Sequence, residues 1–226
     1  MRQRRRPVVG LRIVRRLPSS GPGFLTLERY LARNLYRGGG ASRPYRFEVM
    51  HRRGFDAVAI VPFFFEGPRR LMIVIKVGFR PGLFLRARLP LPAPDGRRYT
   101  FVREAVAGSL EPEDRGVRGI DTRARKELLE ETGLKPSSRV VRLGAGFFPS
   151  HGQSTEKVHL RAFEVDPRRA MAPPGDGSVN EHDSGTVAVE ARRLLAMCRR
   201  GSVEDPKIEV GVGRLCDLLG YPRTRR

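Results

Sequence analysis

Apolar residues in this chain fall into blocks of strand length, separated by turn-forming residues. The block "FDAVAIVPFFF" (Phe55 to Phe65) and the block "LMIVIKVGFR" (Leu71 to Arg80) are rich in β-branched and aromatic side chains, the types that suit a buried strand. Between them "EGPRR" is a turn, and the spacing predicts an antiparallel hairpin. "YTFVREAVAG" predicts a further strand ending at Gly108. "RVVRLGAGFFPS" and "VHLRAFEVD" predict two more, joined through "HGQST". Upstream, from Phe24 to about Met50, short apolar segments flank "YRGGGASRPYR". The glycines Gly38 to Gly40 mark a turn there, so a small hairpin-like sheet layer is expected. The proline-rich "PGLFLRARLPLPAPDGRR" predicts a loop with at most an edge strand.

Helical spacing enters after Gly108. Asp121 and Thr122 are N-cap types, Ala124, Leu128 and Thr132 recur at i, i+4 and i+8, and Gly133 is a stop signal. "TVAVEARRLLAMCRRG" predicts a second helix closed by Gly201, and "IEVGVGRLCDLLGY" a third, weakened by Gly211 and Gly213. "PRRAMAPPGDGSVNEHDSG" is a polar loop. There is no internal repeat. Strands interleaved with a few helices predict a mixed α/β fold.

Length and charge refine this picture. The 226 residues allow one large domain, or one domain with an appendage. No apolar run reaches the ~18 residues of a membrane span. "MRQRRRPVVG" is not followed by the apolar stretch of about 7–15 residues that a signal peptide carries. A cytoplasmic location with Cys198 and Cys216 as reduced thiols is therefore expected, without a metal cluster on cysteine. The formal net charge is +20, and all but five of the 44 basic residues are arginines. They are scattered, with clusters at Arg2 to Arg6, Arg15–Arg16 and Arg223 to Arg226. Residues 1–22 read as a basic, exposed, flexible arm, 23–53 as a β subdomain with a potential dimerisation role, and 54–226 as the main domain. The charge admits nucleic acid as a partner, but a skew toward arginine also follows from coding-sequence composition, and that reading is favoured.

Against this background "ARKELLEETGL" (Ala124 to Leu134) stands out, because it gathers Glu127, Glu130 and Glu131. At ~100° per residue the three carboxylates share a face roughly 100° wide, expected opposite Leu128 and Ala124. Like charges at these spacings repel. Either ion pairs with Arg123, Lys126 and other cations offset the repulsion, or a hard divalent cation does.

The string "AGSLEPEDRGVRGIDTRARKELLEETGL" resembles the Nudix box, G-x5-E-x7-R-E-U-x-E-E-x-G-U with U aliphatic. Lys126 to Leu134 matches its second half, with lysine for arginine. Gly108 takes the leading glycine and Asp114 the place of a glutamate, with extra residues around "RGVRGI". The flanks resemble the ADP-ribose pyrophosphatase branch. "FVREAVAG" is similar to its LE-x-PAG strand. "FFPSHGQSTEKVHL" is similar to its SPG-x-x-x-E loop, with His151 in the proline position. "IKVGFRP" is similar to a QYRP strand end, with Gly78 for glutamine, and "RRGSVEDPKIEVGVGRL" resembles its terminal helix region.

The resemblance implies a Nudix α/β/α sandwich with a mixed sheet, plus the small N-terminal β layer. It implies hydrolysis of a nucleoside diphosphate linked to another group, with ADP-ribose giving AMP and ribose 5-phosphate. Another nucleotide sugar, a dinucleotide, or a binding module with a nucleic-acid-binding arm are the alternatives. Mg²⁺, or Mn²⁺, would be held by Glu127, Glu130, Glu131 and the Ala107 carbonyl, with Asp114 as ligand or neighbour. Glu156 is the candidate general base, with His151 and His159 as alternatives. Read without the family, Glu156 is a loop acid paired with Lys157 or Arg161, and His159 packs within its strand. Arg80 and Glu104 are candidates for substrate binding. So are Arg46 and Glu48, in a region that binds substrate across a homodimer interface in the family.

Overall fold

A computed structural model describes residues 8–17, 24–52, 54–86, 89–174 and 185–223. The arginines of residues 2–6 and 224–226 lie outside the described residues. The chain divides into two units, one of residues 1–56 and 148–157, the other of residues 57–147 and 158–226.

The first unit is a three-stranded antiparallel sheet, β1 (Val8–Leu17), β2 (Leu25–Tyr36) and β3 (Tyr45–Arg52), in that spatial order. The predicted turn after Tyr36 is present, and the Tyr36 N–H donates to the Gly40 carbonyl at 3.2 Å. One expectation is corrected. Within the stretch read as a flexible arm, Val8–Leu17 pairs along β2, from Val8 opposite Tyr36 to Leu17 opposite Arg29. The alternation "VVGLRIV" carries strand propensity that the surrounding arginines mask. Segment 148–157 belongs to this unit: the Met50 N–H donates to the Gln153 carbonyl at 2.7 Å, and the Lys157 N–H to Asp56 Oδ1 at 3.2 Å.

The second unit is built on a mixed seven-stranded sheet. Its strands are β4 (Ala57–Glu66), β5 (Arg70–Gly78), β6 (Val102–Glu104), β7 (Val106–Ser109), β8 (Val141–Arg142), β9 (Val158–Glu164) and β10 (Gly185–Glu190). The order is β10-β5-β4-β9-β8, with β6 paired to β5 and β7 to β4. The β4–β5 hairpin is as predicted, with Phe63 opposite Ile73. The β4–β9 pair is parallel, and the other pairs are antiparallel. Among the described residues four α-helices join the strands: α1 (Pro81–Arg86), α2 (Gly116–Thr132), α3 (Ala191–Arg199) and α4 (Pro206–Leu218).

Strand alternation sorts the core into two layers. Ala57, Ala59, Val61 and Phe63 of β4 pack with Leu194, Ile208, Val212 and Leu215 from α3 and α4. Val58 and Ile60 pack with Ile120, Ala124 and Leu128 of α2. Helix α4 approaches the sheet closely because Gly211 has no side chain: a β-carbon there would stand 2.8 Å from Val61 Cγ2. The glycine that weakens the helical pattern thus permits the packing. Cys198 and Cys216 are buried and unbridged, and burial pushes both thiols up to about 11.

Several predicted boundaries move. The strand expected over Tyr99–Gly108 breaks at Ala105, whose N–H donates to Asp205 Oδ2 at 2.8 Å, and the chain changes partner strand at that point. The proline-rich loop contains α1. "RVVRLGAGFFPS" yields only Val141–Arg142 as strand. The predicted helix "TVAVEARRLLAMCRRG" is two elements. Gly185–Glu190 pairs with β5, Val187 opposite Ile75, and Glu190 then caps α3 by accepting from the Arg193 N–H at 3.1 Å. An unpaired edge on β5 captures the alternating V-A-V-E segment before the helix can extend back into it.

Candidate active site

Helix α2 starts at Gly116, earlier than the expected cap at Asp121 and Thr122, so the extra residues "GVRGI" are helical. Asp121 lies inside the helix and binds Arg161 Nε at 2.5 Å and Arg142 Nη2 at 2.9 Å. The apolar stripe is Ile120, Ala124, Leu128 and Thr132, all buried. Gly133 closes the helix at φ 68°, a left-handed conformation that glycine adopts without strain.

The acidic face does not lie opposite that stripe. Glu131 is ~60° from Leu128 around the helix and Glu127 ~100°, so both flank it and turn toward the sheet. Their side chains are 8% and 15% exposed, against 25% for Glu130. Glu127 packs on Gly108 of β7, where a β-carbon would overlap its carboxyl group. The leading glycine of the motif is therefore a requirement of carboxylate placement. Glu131 accepts from the Ala107 N–H at 3.0 Å and from Lys76 Nζ at 2.5 Å. Glu130 stands 3.6 Å from Lys126.

Lys76 is a residue of this cluster that the sequence reading missed; Arg123 was named there only as an ion-pair partner of the acidic helix. Lys76 interrupts the apolar run of β5 and follows Val74, which faces α2, by two residues. Strand parity alone aims it at the acidic helix. Arg123 precedes Glu127 by one helical turn, with Nη1 3.6 Å from Glu127 Oε1 and Nε 2.6 Å from Asp114 Oδ2. Asp114 also accepts from the Glu111 N–H at 2.9 Å. Opposite Lys76 across the β5–β6 pair stands Glu104, whose two carboxylate oxygens accept from Arg80 Nε at 3.0 and 2.8 Å. Desolvation works to lower the Arg80 pKa, but the Glu104 bond and charge outweigh it and hold the guanidinium above its ordinary value.

Glu127 has the opposite imbalance. Burial and the charges of Glu131 and Glu130 push its pKa up to about 7, against the partial offset from Arg123 and Lys126. Ionised, this carboxylate lacks adequate positive charge. That demand, from hard oxygen donors, fits a divalent cation such as Mg²⁺. With the side chains as placed, no three His, Cys, Asp or Glu groups among the described residues enclose a metal-sized site, and Lys76 occupies one oxygen of Glu131.

The remaining predicted residues, His159 apart, belong to the other unit. Glu156 Oε1 accepts from Arg52 Nη1 at 2.7 Å, a partner not foreseen in place of Lys157 or Arg161. Glu48 pairs with Arg29 at 2.8 Å, and Arg46 is exposed on β3. His151 is exposed, its ring 5.6 Å from that of Phe148. His159 lies in β9 of the second unit.

No protein-family model and no curated protein matches the sequence. No helix among the described residues is long and apolar enough to cross a membrane. A solved structure described as an ADP compounds hydrolase aligns with a TM-score of 0.63 at 14% sequence identity, covering 96% of this chain and 99% of that one. At that identity the likeness is one of fold, and the mixed α/β architecture with a mixed sheet and few helices is shared with that hydrolase.

Proposed function

We propose that this protein is a Nudix-type hydrolase that cleaves the pyrophosphate bond of a nucleoside diphosphate derivative with a divalent cation, ADP-ribose being the first candidate substrate. One observation carries the reading: Glu127 and Glu131, one helical turn apart, are nearly buried side by side against the backbone of β7, Glu127 on a glycine that makes room for it. Burying two like charges is unfavourable unless cations offset them; Lys76 and Arg123 do so in part, and Glu127 is still left short of positive charge. The fold shared with an ADP compounds hydrolase and the KELLEETGL sequence support the same reading.

Glu127, Glu130, Glu131 and the Ala107 carbonyl would hold Mg²⁺. Bound there, the ion would offset pyrophosphate charge and lower the pKa of a bound water. The chain's own groups have distinct tasks. Lys76 fixes the Glu131 carboxylate, and Asp114 fixes Arg123 beside Glu127. Arg80, aligned by Glu104, presents its remaining guanidinium N–H groups to phosphate oxygens.

The test is incubation of the purified protein with ADP-ribose and a panel of other nucleoside diphosphate derivatives in Mg²⁺. AMP release from ADP-ribose is expected, and Glu131→Gln should slow it by orders of magnitude without unfolding the chain. Turnover confined to another panel member would replace the substrate and keep the chemistry. No turnover of any member, with no thermal stabilisation by Mg²⁺, would overturn the proposal.

A further inference from the structure

On the other side of the sheet from α2, a cavity of about 1090 Å³ lies between the β10 edge and α3. None of the acidic residues of α2 lines it. Among the described residues seven arginines do, against one carboxylate, Glu190. Three of the seven are already paired: Arg192 with Glu190, Arg70 with Glu66 and Arg223 with Asp217. The other four, Arg103, Arg193, Arg199 and Arg200, are exposed and make no ion pair with another described residue.

Helix α3 explains the arrangement. Its buried positions are Ala191, Leu194, Leu195 and Cys198, and its outer face is Arg192, Arg193, Ala196, Met197 and Arg199, continued by Arg200. Arg193 thus stands at one end of one helical face and Arg199 with Arg200 at the other, ~10 Å apart at 1.5 Å per residue. No acid interrupts them between Glu190 and Glu204.

We infer that this groove binds the phosphate backbone of a nucleic acid without regard to sequence. Guanidinium groups bind phosphate oxygens in bidentate fashion. A separation of ~10 Å corresponds to about three base-pair rises along the axis of a duplex. Four cations exceed what a single small anion needs. Among the described residues no aromatic ring lines the groove, and the contacts proposed are with the backbone alone.

The experiment is fluorescence anisotropy of a labelled 20-base-pair DNA duplex of mixed sequence, titrated with the full chain between 50 and 200 mM KCl. The wild type should bind with a log–log salt slope of about −3 to −4, from three or four phosphate contacts. The triple variant R193Q/R199Q/R200Q should lose roughly 2–3 from that slope and at least about tenfold in affinity at 100 mM salt, with its thermal midpoint unchanged. A control of equal net charge, R115Q/R118Q/R139Q, should bind like the wild type. If the triple variant fails to fold, R193E and R200E separately should each lower the slope by about 1. The proposal is overturned if the control loses as much as the triple variant, if the wild type does not bind, as it would not were the arginines only guarding the β10 edge, or if poly-glutamate of equal charge competes as well as unlabelled duplex.

Discussion

Removing the charge of Glu127 should stabilise the metal-free protein. In the folded state the pKa of this carboxyl stands near 7, against an ordinary value of 4.5. A folded pKa above the unfolded one means the folded state holds the proton more tightly. The group therefore costs nothing below about pH 4.5, and the cost grows as pH rises through the interval to about 7. Over that interval, at about 1.4 kcal/mol per pH unit, the full cost is about 3 kcal/mol, and residual solvent screening reduces it to about 2 kcal/mol. Glu127→Gln keeps the shape and removes the charge. At pH 8 in EDTA the variant should be more stable by about 2 kcal/mol, roughly 4–8 °C in midpoint for a chain of this size. At pH 4 the two proteins should melt together. Saturating Mg²⁺ should then raise the wild type more than the variant, since the ion binds only where the charge is. Thermal unfolding followed by circular dichroism, in both buffers across pH 4 to 8, reads all of this. Equal midpoints at pH 8 in EDTA, or a gap that persists unchanged at pH 4, would refute the electrostatic account of the site.

Other substitutions probe the parts that position this group. Gly108→Ala places a methyl where the Glu127 carboxyl lies; ADP-ribose hydrolysis should fall at least about a hundredfold, in line with the cost of small misplacements in an active site, and a wild-type rate would disconnect the glycine from the chemistry. Lys76→Met leaves Glu131 buried without its ammonium partner, so urea denaturation in EDTA should show a loss of about 3–5 kcal/mol, partly restored by Mg²⁺. Leu128→Ala empties a fully buried position between α2 and the sheet and should cost about 2–5 kcal/mol, while the specific activity of the folded fraction stays near wild type.

Much of the second unit was legible because its signals are local. The β4–β5 hairpin needed only two apolar blocks and a turn. The body of α2 needed only the spacing of Ala124, Leu128 and Thr132 and the stop at Gly133, all of them where the pattern put them. The misreadings share a cause. Gly185–Glu190 is a strand because β5 has an edge to offer. Val8–Leu17 is a strand because β2 lies beside it. Residues 116–120 are helical although no side-chain cap bond announces the start. Propensity within a segment could not report a partner from elsewhere in the chain.

The candidate site divides along the same line. The sequence alone determined that three carboxylates share one side of a helix and that a glycine precedes them at the end of a strand, since helical periodicity and chain order fix both. Only the tertiary structure decided that Glu127 and Glu131 turn inward, that Lys76 from β5 and Ala107 from β7 meet Glu131, and that Arg123 stands between Asp114 and Glu127. Burial and the sum of neighbouring charges set a carboxylate's protonation, and both depend on which distant strands the fold brings beside it.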